Sequence, residues 1–110
     1  MKSEQPKVTI GMPIYNGVDY MAEALDSIRA QTYTDFEIVI SDNGSTDETV
    51  ALCQDYAARD ARIRVYTSET NHGATWNYNR VFELAKGEYF RWHGHDDLIG
   101  PTYLEECVAI

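Results

Sequence analysis

The stretch FEIVISDNGSTD, residues 36–47, decides the fold. Its first five residues are apolar or β-branched apart from Glu37, which indicates a strand buried in a sheet. We expect this strand to end in the turn Ser41-Asp42-Asn43-Gly44, because these residue types favour turns. Ser45 and Glu48 then have the spacing of a capping box, which predicts that a helix starts here. A strand that passes through a polar turn into a helix is the repeating unit of an α/β fold.

The same alternation continues on both sides of this stretch. Upstream, an apolar run from Val8 to Met12 ends at Pro13, and apolar positions between Asp19 and Gln31 recur at helical spacing. Downstream, the pattern predicts a helix with Val50, Cys53 and Ala57 on one face, followed by a strand over residues 63–66. The next helix has Tyr78, Val81, Phe82 and Ala85 on one face and is expected to end in a left-handed cap at Gly87. A strand over residues 89–92 and a helix beginning at Pro101 complete the pattern. The order β-α-β-α-β-α-β-α predicts a Rossmann-like, mostly parallel sheet with helices on both faces.

Length and charge limit what such a chain does. With 110 residues, of which 44% are hydrophobic, residues 1–110 are expected to form a single domain. A net charge of −9 excludes nucleic acid as a direct partner, although a nucleotide held through a divalent cation remains compatible with it. No apolar run approaches the roughly 20 residues of a membrane span, so we predict a cytoplasmic segment with Cys53 and Cys107 as buried, reduced thiols. The chain ends inside a predicted helix, which indicates a fragment of a longer protein.

Three polar clusters follow strands one, two and four. They are Pro13-Ile14-Tyr15-Asn16, Asp42-Asn43-Gly44-Ser45 and His95-Asp96-Asp97. Ligands of parallel α/β sheets bind beyond the carboxyl ends of the strands, so we expect all three clusters to face one crevice. Asp96 and Asp97 would supply hard oxygen ligands for Mg²⁺ or Mn²⁺, shared with phosphate oxygens. The alternative is that Asp97 begins a turn and Asp96 is solvated.

Other side chains near this crevice are candidates for ligand contacts, and three of them have a second interpretation. Asp42 and Asn43 stand at a strand end, where they could accept hydrogen bonds from a base N–H and a ribose hydroxyl. Tyr15 could stack on a base or simply pack in its turn. Asn79 could fix a loop or contact a ligand, although a solvated helix residue is the commoner case. His95 could be a metal ligand, with a solvated loop histidine as the alternative.

Taken together, the motifs resemble the family 2 glycosyltransferases over nearly the whole chain. The matching elements are Pro13-x-Tyr15-Asn16, Glu23 with Ser27-Ile28 and Gln31, Phe36-Glu37-Ile38, the stretch 42–47, Asn71-x-Gly73, Asn79, Ala85-x-Gly87-Glu88-Tyr89 and Asp96-Asp97. Each motif alone is weak, whereas their order and spacing are specific. The resemblance implies a GT-A fold, a nucleoside-diphosphate-sugar donor, a divalent cation, and inverting transfer of the sugar to an acceptor hydroxyl.

Matched by position, Asp42 and Asn43 correspond to the family's acidic pair that contacts the nucleoside. Asp96 and Asp97 correspond to the end of its D-x-D-D motif, with Asp97 as the main metal contact. The sequence departs from the family at three positions: Gly94 replaces the first acidic residue of that motif, Asn43 replaces a frequent aspartate, and Tyr78 stands where many members have arginine. The implied donor-binding set is Pro13, Tyr15, Asn16, Asp42, Asn43, Asn79 and Asp96, and the implied metal ligands are Asp96 and Asp97.

The family places its general base and acceptor site in a C-terminal half that this chain lacks, so no catalytic residue is predicted. The segment alone is expected to bind donor and metal weakly and to transfer nothing. The resemblance implies a sugar or lipid-linked acceptor, as in cell-wall or polysaccharide biosynthesis, and leaves open whether the full-length protein acts at the inner face of the membrane. Two alternatives are a donor-binding relative without catalysis and a Mg²⁺-binding receiver domain, although a receiver would carry its acidic pair after the first strand.

Overall fold

The computed structural model describes residues 6–94 and 99–108, with the backbone alone for residues 106–108. Strands and helices alternate through these ranges: β1 (Val8–Ile14), α1 (Val18–Arg29), β2 (Phe36–Asp42), α2 (Thr49–Arg59), β3 (Ile63–Tyr66), α3 (Ala74–Leu84), β4 (Tyr89–Trp92) and α4 (Tyr103–Val108). The predicted β-α order is therefore confirmed. Among the helices within these ranges, none combines the length and apolar character needed to cross a bilayer.

The four strands form a parallel sheet in the order β3-β2-β1-β4. The chain moves outward from β1 to β3 and then returns to place β4 on the other side of β1. This reversal creates a switch point at the carboxyl ends of β1 and β4, where open α/β sheets bind ligands. A receiver domain has the order 2-1-3-4-5 instead. The strand order therefore excludes the receiver alternative.

The main core lies between the sheet and helix α1. Alternate residues of β1 and β2 point into it, and they meet the face of α1 formed by Met21, Ala24, Leu25 and Ile28, none of which is measurably exposed. Leu104 of α4 joins the same core. Cys53 of α2 is buried here as predicted, and burial raises the pKa of its thiol to about 12. The side chain of Cys107 lies outside the described residues.

Helix α3 covers the opposite face of the sheet, so helices do pack on both faces as predicted. Gly11 in β1 permits this contact, because a Cβ atom there would lie 2.5 Å from both Val81 and the ring of Phe90. Gly87 also permits a close contact, and it does not form the left-handed helix cap that we expected. Its φ is not positive, and an added Cβ would lie 2.5 Å from the backbone nitrogen of Thr9.

Several predicted boundaries were wrong, among them the end of β2, which continues through Ser41 to Asp42 where we expected a turn. Strand β1 continues through Pro13 to Ile14. Proline is accommodated because its nitrogen faces the β4 side of β1, where the last paired residue of β1 is Gly11. Helix α2 begins at Thr49 without a capping box, since the Ser45 hydroxyl donates to Asp42 instead. Helix α4 begins at Tyr103, two residues after Pro101.

A buried carboxylate joins the elements on the α3 face. Glu37 is 6% exposed and accepts hydrogen bonds from the Thr9 hydroxyl at 2.6 Å, the Lys86 backbone N–H at 2.7 Å and Arg64 Nη2 at 2.6 Å. Arg64 also donates to the Leu84 carbonyl at the end of α3. Burial alone would raise the pKa of Glu37, but these hydrogen bonds and the Arg64 charge outweigh it and lower the pKa. The network therefore fixes the α3–β4 connection to β1, β2 and β3 through an ionised group.

Candidate functional site

A pocket of about 250 Å³ opens at the carboxyl edge of the sheet. It is lined by Pro13, Ile14, Tyr15, Asn43, Asn71, Ala74, Asn77 and Tyr78. These residues come from the end of β1, the residue after β2, the loop before α3 and the first turns of α3. Two of the three polar clusters that we expected at one crevice thus contribute to one pocket. The third cluster, residues 95–97, lies outside the described residues.

The floor of the pocket is held by Asn77, which is 3% exposed. Its Nδ2 donates to the Ser41 carbonyl at 2.9 Å and to the Ile14 carbonyl at 3.4 Å, and its Oδ1 accepts from the Ser41 hydroxyl at 2.6 Å. Arg80 Nε donates to the same Ser41 hydroxyl at 2.6 Å. One side chain therefore ties α3 to the ends of both β1 and β2. We had expected residues 77–79 beside the crevice but had assigned a role to Asn79 alone, although Asn77 lies four positions before the buried Val81 and hence on the same helix face.

One wall of the pocket is the loop of residues 71–73, and Asn43 holds it in place. Asn43 Nδ2 donates to Asn71 Oδ1 and to the Gly73 carbonyl, both at 3.0 Å, and its Oδ1 accepts from the His72 backbone N–H at 2.8 Å. Asn43 therefore lines the pocket, while the hydrogen bonds of its amide go to the loop. Its position is as predicted, and its structural contribution is to shape the wall.

Asp42 and Asn16 join the loops that follow β1 and β2. The Asp42 carboxylate is 1% exposed and accepts from the backbone N–H and the hydroxyl of Ser45. That hydroxyl in turn accepts from the Asn16 backbone N–H at 2.8 Å. Asn16 adopts a left-handed conformation with φ 51°, and its Oδ1 accepts from the Thr46 N–H at 2.8 Å. This bracing fixes the loop that carries Tyr15, whose ring is 44% exposed and lines the pocket.

The remaining predicted site residues lie elsewhere. Asn79 is exposed on α3 and does not line the pocket, so the structure brings Asn77 to the position that we had assigned to Asn79. His95, Asp96 and Asp97 fall outside the described residues. The strand that leads to them ends beside β1, because the His93 N–H donates to the Gly11 carbonyl at 2.9 Å. Within residues 6–94 and 99–108, no three His, Cys, Asp or Glu side chains are grouped to hold a metal.

Gly44 is predicted to be essential for the pocket wall. It has φ +78°, and an added Cβ would lie 2.6 Å from the Thr70 carbonyl carbon and 2.9 Å from the Asn71 nitrogen. Gly44→Ala should therefore displace the loop and destabilise the fold by about 2 kcal/mol, since strained left-handed backbone and overpacking each cost about 1–3 kcal/mol. Urea unfolding measures this loss.

Gly73→Ala is the matched control, because Gly73 has φ +91° but nothing within 4 Å of an added Cβ. With ψ 158° its backbone lies in a region that is essentially restricted to glycine, so Gly73→Ala should show strain without the collision, a loss of about 1 kcal/mol at the low end of the cost of such strain. Equal losses in the two variants would show that the contact with Thr70 is relieved at no cost.

Comparison with known proteins agrees with this geometry. The family model described as glycosyl transferase family 2 matches residues 9–110. An uncharacterized glycosyltransferase of Rickettsia typhi is 40% identical over 105 residues, which are 96% of this chain and 32% of that protein. Staphylococcus aureus TarS 1-349, solved in complex with UDP, superposes on this chain with a TM-score of 0.87 and 30% sequence identity. The match covers 94% of this chain and 31% of the TarS chain.

The mannosyltransferase PcManGT from Pyrobaculum calidifontis was solved in complex with GDP-Man and Mn²⁺. It matches this chain with a TM-score of 0.77 and 27% sequence identity, and the match covers 87% of this chain and 29% of the PcManGT chain. The chain thus spans about a third of the length of these three proteins. The parallel sheet and its helices are of the GT-A type, and the expected resemblance is confirmed. The chain belongs to glycosyl transferase family 2.

Proposed function

We propose that this chain is the donor-binding part of an inverting glycosyltransferase and that its pocket takes the nucleoside of a uridine-diphosphate sugar. The observation that carries the proposal is the pocket at the ends of β1 and β2, with the exposed ring of Tyr15 on it. A similar fold in TarS was solved in complex with UDP, which supports this choice of nucleotide. The sugar would pass to an acceptor hydroxyl, such as that of a polysaccharide or lipid-linked sugar.

The dimensions of the pocket favour the nucleoside end of the donor. Its volume of about 250 Å³ is below the roughly 300–1,000 Å³ of pockets that enclose a whole drug-sized ligand. The diphosphate and sugar would therefore extend out of it, toward the carboxyl end of β4. Asn71 lines the pocket, and its Oδ1 accepts from Asn43 and from the Gly73 N–H. We propose its Nδ2 as a donor for a base carbonyl oxygen. Asp42 and Asn16 would act through the loop that carries Tyr15.

The diphosphate requires a counter-charge, because the chain itself carries a net charge of −9. We propose that Asp96 and Asp97 hold Mg²⁺ or Mn²⁺, which when bound would offset the diphosphate charge. Both residues follow β4, whose end lies beside β1 at the switch point. The Mn²⁺ in the complex of PcManGT, which has a similar fold, supports a divalent cation at this site.

Calorimetric titration with uridine, UDP and GDP tests the nucleoside assignment. We expect uridine and UDP to bind, with UDP preferred over GDP because a purine needs more space. Tyr15→Ala should weaken uridine binding about tenfold, since stacking of a base on an aromatic ring is worth about 1–3 kcal/mol.

Tyr20→Ala is the control for this test, because Tyr20 is 53% exposed on α1 and does not line the pocket. It should leave uridine affinity unchanged. A folded wild-type chain that binds neither uridine nor UDP would refute the proposal. Tighter binding of GDP than of UDP would reassign the donor to a purine nucleotide.

A further inference from the structure

Tyr78 is a second aromatic ring on the pocket, in addition to Tyr15. It lies in the first turns of α3 and is 48% exposed although it lines the pocket. The preceding residue, Asn77, is bonded to the carbonyls of Ser41 and Ile14. The backbone under Tyr78 is therefore fixed relative to the ends of β1 and β2.

The ring of Tyr78 is also fixed, because it packs against Trp92 at the end of β4. Their ring centroids are 4.8 Å apart with the planes tilted by 43°. Trp92 in turn contacts Phe90 edge-on at 4.6 Å, and Phe90 contacts Phe82 at 5.3 Å. These four side chains form an aromatic ladder across α3 and β4. Of its members, Tyr78 is the one that lines the pocket.

We propose that Tyr78 is a stacking contact for the nucleoside and that Trp92 is a positioning residue for its ring. This inference rests on the proposed function and assigns the second aromatic surface of the same pocket. A preoriented ring loses little conformational entropy when a base or ribose packs on it. Because a tyrosine side chain offers no positive charge, Tyr78 contributes to binding of the nucleoside and not to offsetting the diphosphate charge. Removal of the Tyr78 ring should therefore lower the affinities for uridine and for UDP by the same factor.

The test compares uridine and UDP affinities of wild type, Tyr78→Ala, Tyr78→Phe and Trp92→Leu by calorimetry. Tyr78→Ala should weaken both ligands about tenfold, within the range measured for loss of base–aromatic stacking. Tyr78→Phe keeps the ring and should stay within about threefold of wild type, because stacking uses the ring face. The affinities of Trp92→Leu should lie between those of Tyr78→Ala and Tyr78→Phe, because this change frees the Tyr78 ring without removing it.

Phe82→Ala is the matched control, because Phe82 is 61% exposed one turn further along α3 and belongs to the ladder but not to the pocket. It should leave both affinities unchanged. Wild-type uridine affinity in folded Tyr78→Ala would overturn the proposal, as would an equal loss in Phe82→Ala. A loss for UDP without a loss for uridine would also overturn it, by placing Tyr78 at the phosphates. A wild-type chain that binds neither ligand would instead refute the proposed function itself.

Discussion

Glu37→Ala is expected to lower the free energy of unfolding by about 3 kcal/mol, the largest loss among the stability variants considered. Glu37 is 6% exposed and accepts from Thr9, Lys86 and Arg64. Alanine would leave the Arg64 guanidinium, whose side chain is 25% exposed, without its counter-charge. Removing one partner of a buried ion pair costs about 3–5 kcal/mol, and the partial exposure of Arg64 places this case at the lower end. Urea unfolding at pH 7 measures the loss.

Asp55→Ala is the control, because Asp55 pairs with Arg59 on the surface of α2 with both side chains more than half exposed. Exposed pairs of this kind contribute about 0.5 kcal/mol or less. Glu37→Gln retains the shape of the side chain but removes its charge. Its loss of stability should therefore lie between those of Glu37→Ala and Asp55→Ala. A loss below about 1 kcal/mol in Glu37→Ala would show that water replaces the carboxylate, and that the network does not hold the α3–β4 connection.

The same network predicts a pH dependence. The folded state lowers the pKa of Glu37 below its ordinary value of 4.5, so its stabilisation is complete above that pH and is lost as the pH falls. Asp60, which hydrogen-bonds with Arg62 and Arg29, has its pKa lowered to about 2 and adds to the acid sensitivity. The difference in stability between wild type and Glu37→Gln should therefore shrink below pH 4.5, while Asp60 affects both proteins alike.

The fold could be predicted because the spacing of apolar residues reports which side chains face the core. Met21, Ala24, Leu25 and Ile28 were assigned to one helix face, and all four are buried there. Local signals failed where a residue serves a distant partner. Gly87 has the sequence context of a helix cap, but its conformation is set by contact with Thr9, 78 residues away.

The location of the pocket could be predicted as well, because parallel strands bring their carboxyl ends to one edge. Tyr15 and Asn43 follow different strands, and both line the pocket. What Asn43 does there could not be read from the sequence, since its partners are in the loop of residues 71–73. Choosing Asn77 over Asn79 required the phase of α3, and the predicted face was wrong there: Asn77 and Val81 are the buried residues, whereas Tyr78 and Phe82 are 48% and 61% exposed.

Asp97→Asn is expected to abolish the increase in UDP affinity that Mn²⁺ or Mg²⁺ produces. Asparagine retains the size and one carbonyl oxygen of aspartate but lacks the negative charge, and the affinity of hard cations depends on ligand charge. Uridine has no phosphate, so its affinity should be unchanged. This contrast separates the metal contribution from the proposed nucleoside contacts, which lie in a pocket lined by residues other than 95–98.

Calorimetry with UDP at increasing Mn²⁺ measures the effect, and thermal melting verifies that the variant folds. Asp55→Asn, a substitution of an exposed aspartate on α2, is the control for the change of one unit in net charge. If Asp97 is only a turn residue, asparagine will serve nearly as well, because both side chains favour such turns. Unchanged Mn²⁺-dependent affinity in folded Asp97→Asn would then make the turn interpretation correct. In that case Asp96→Asn and His95→Ala, measured in the same titration, would show which neighbouring residue carries the metal.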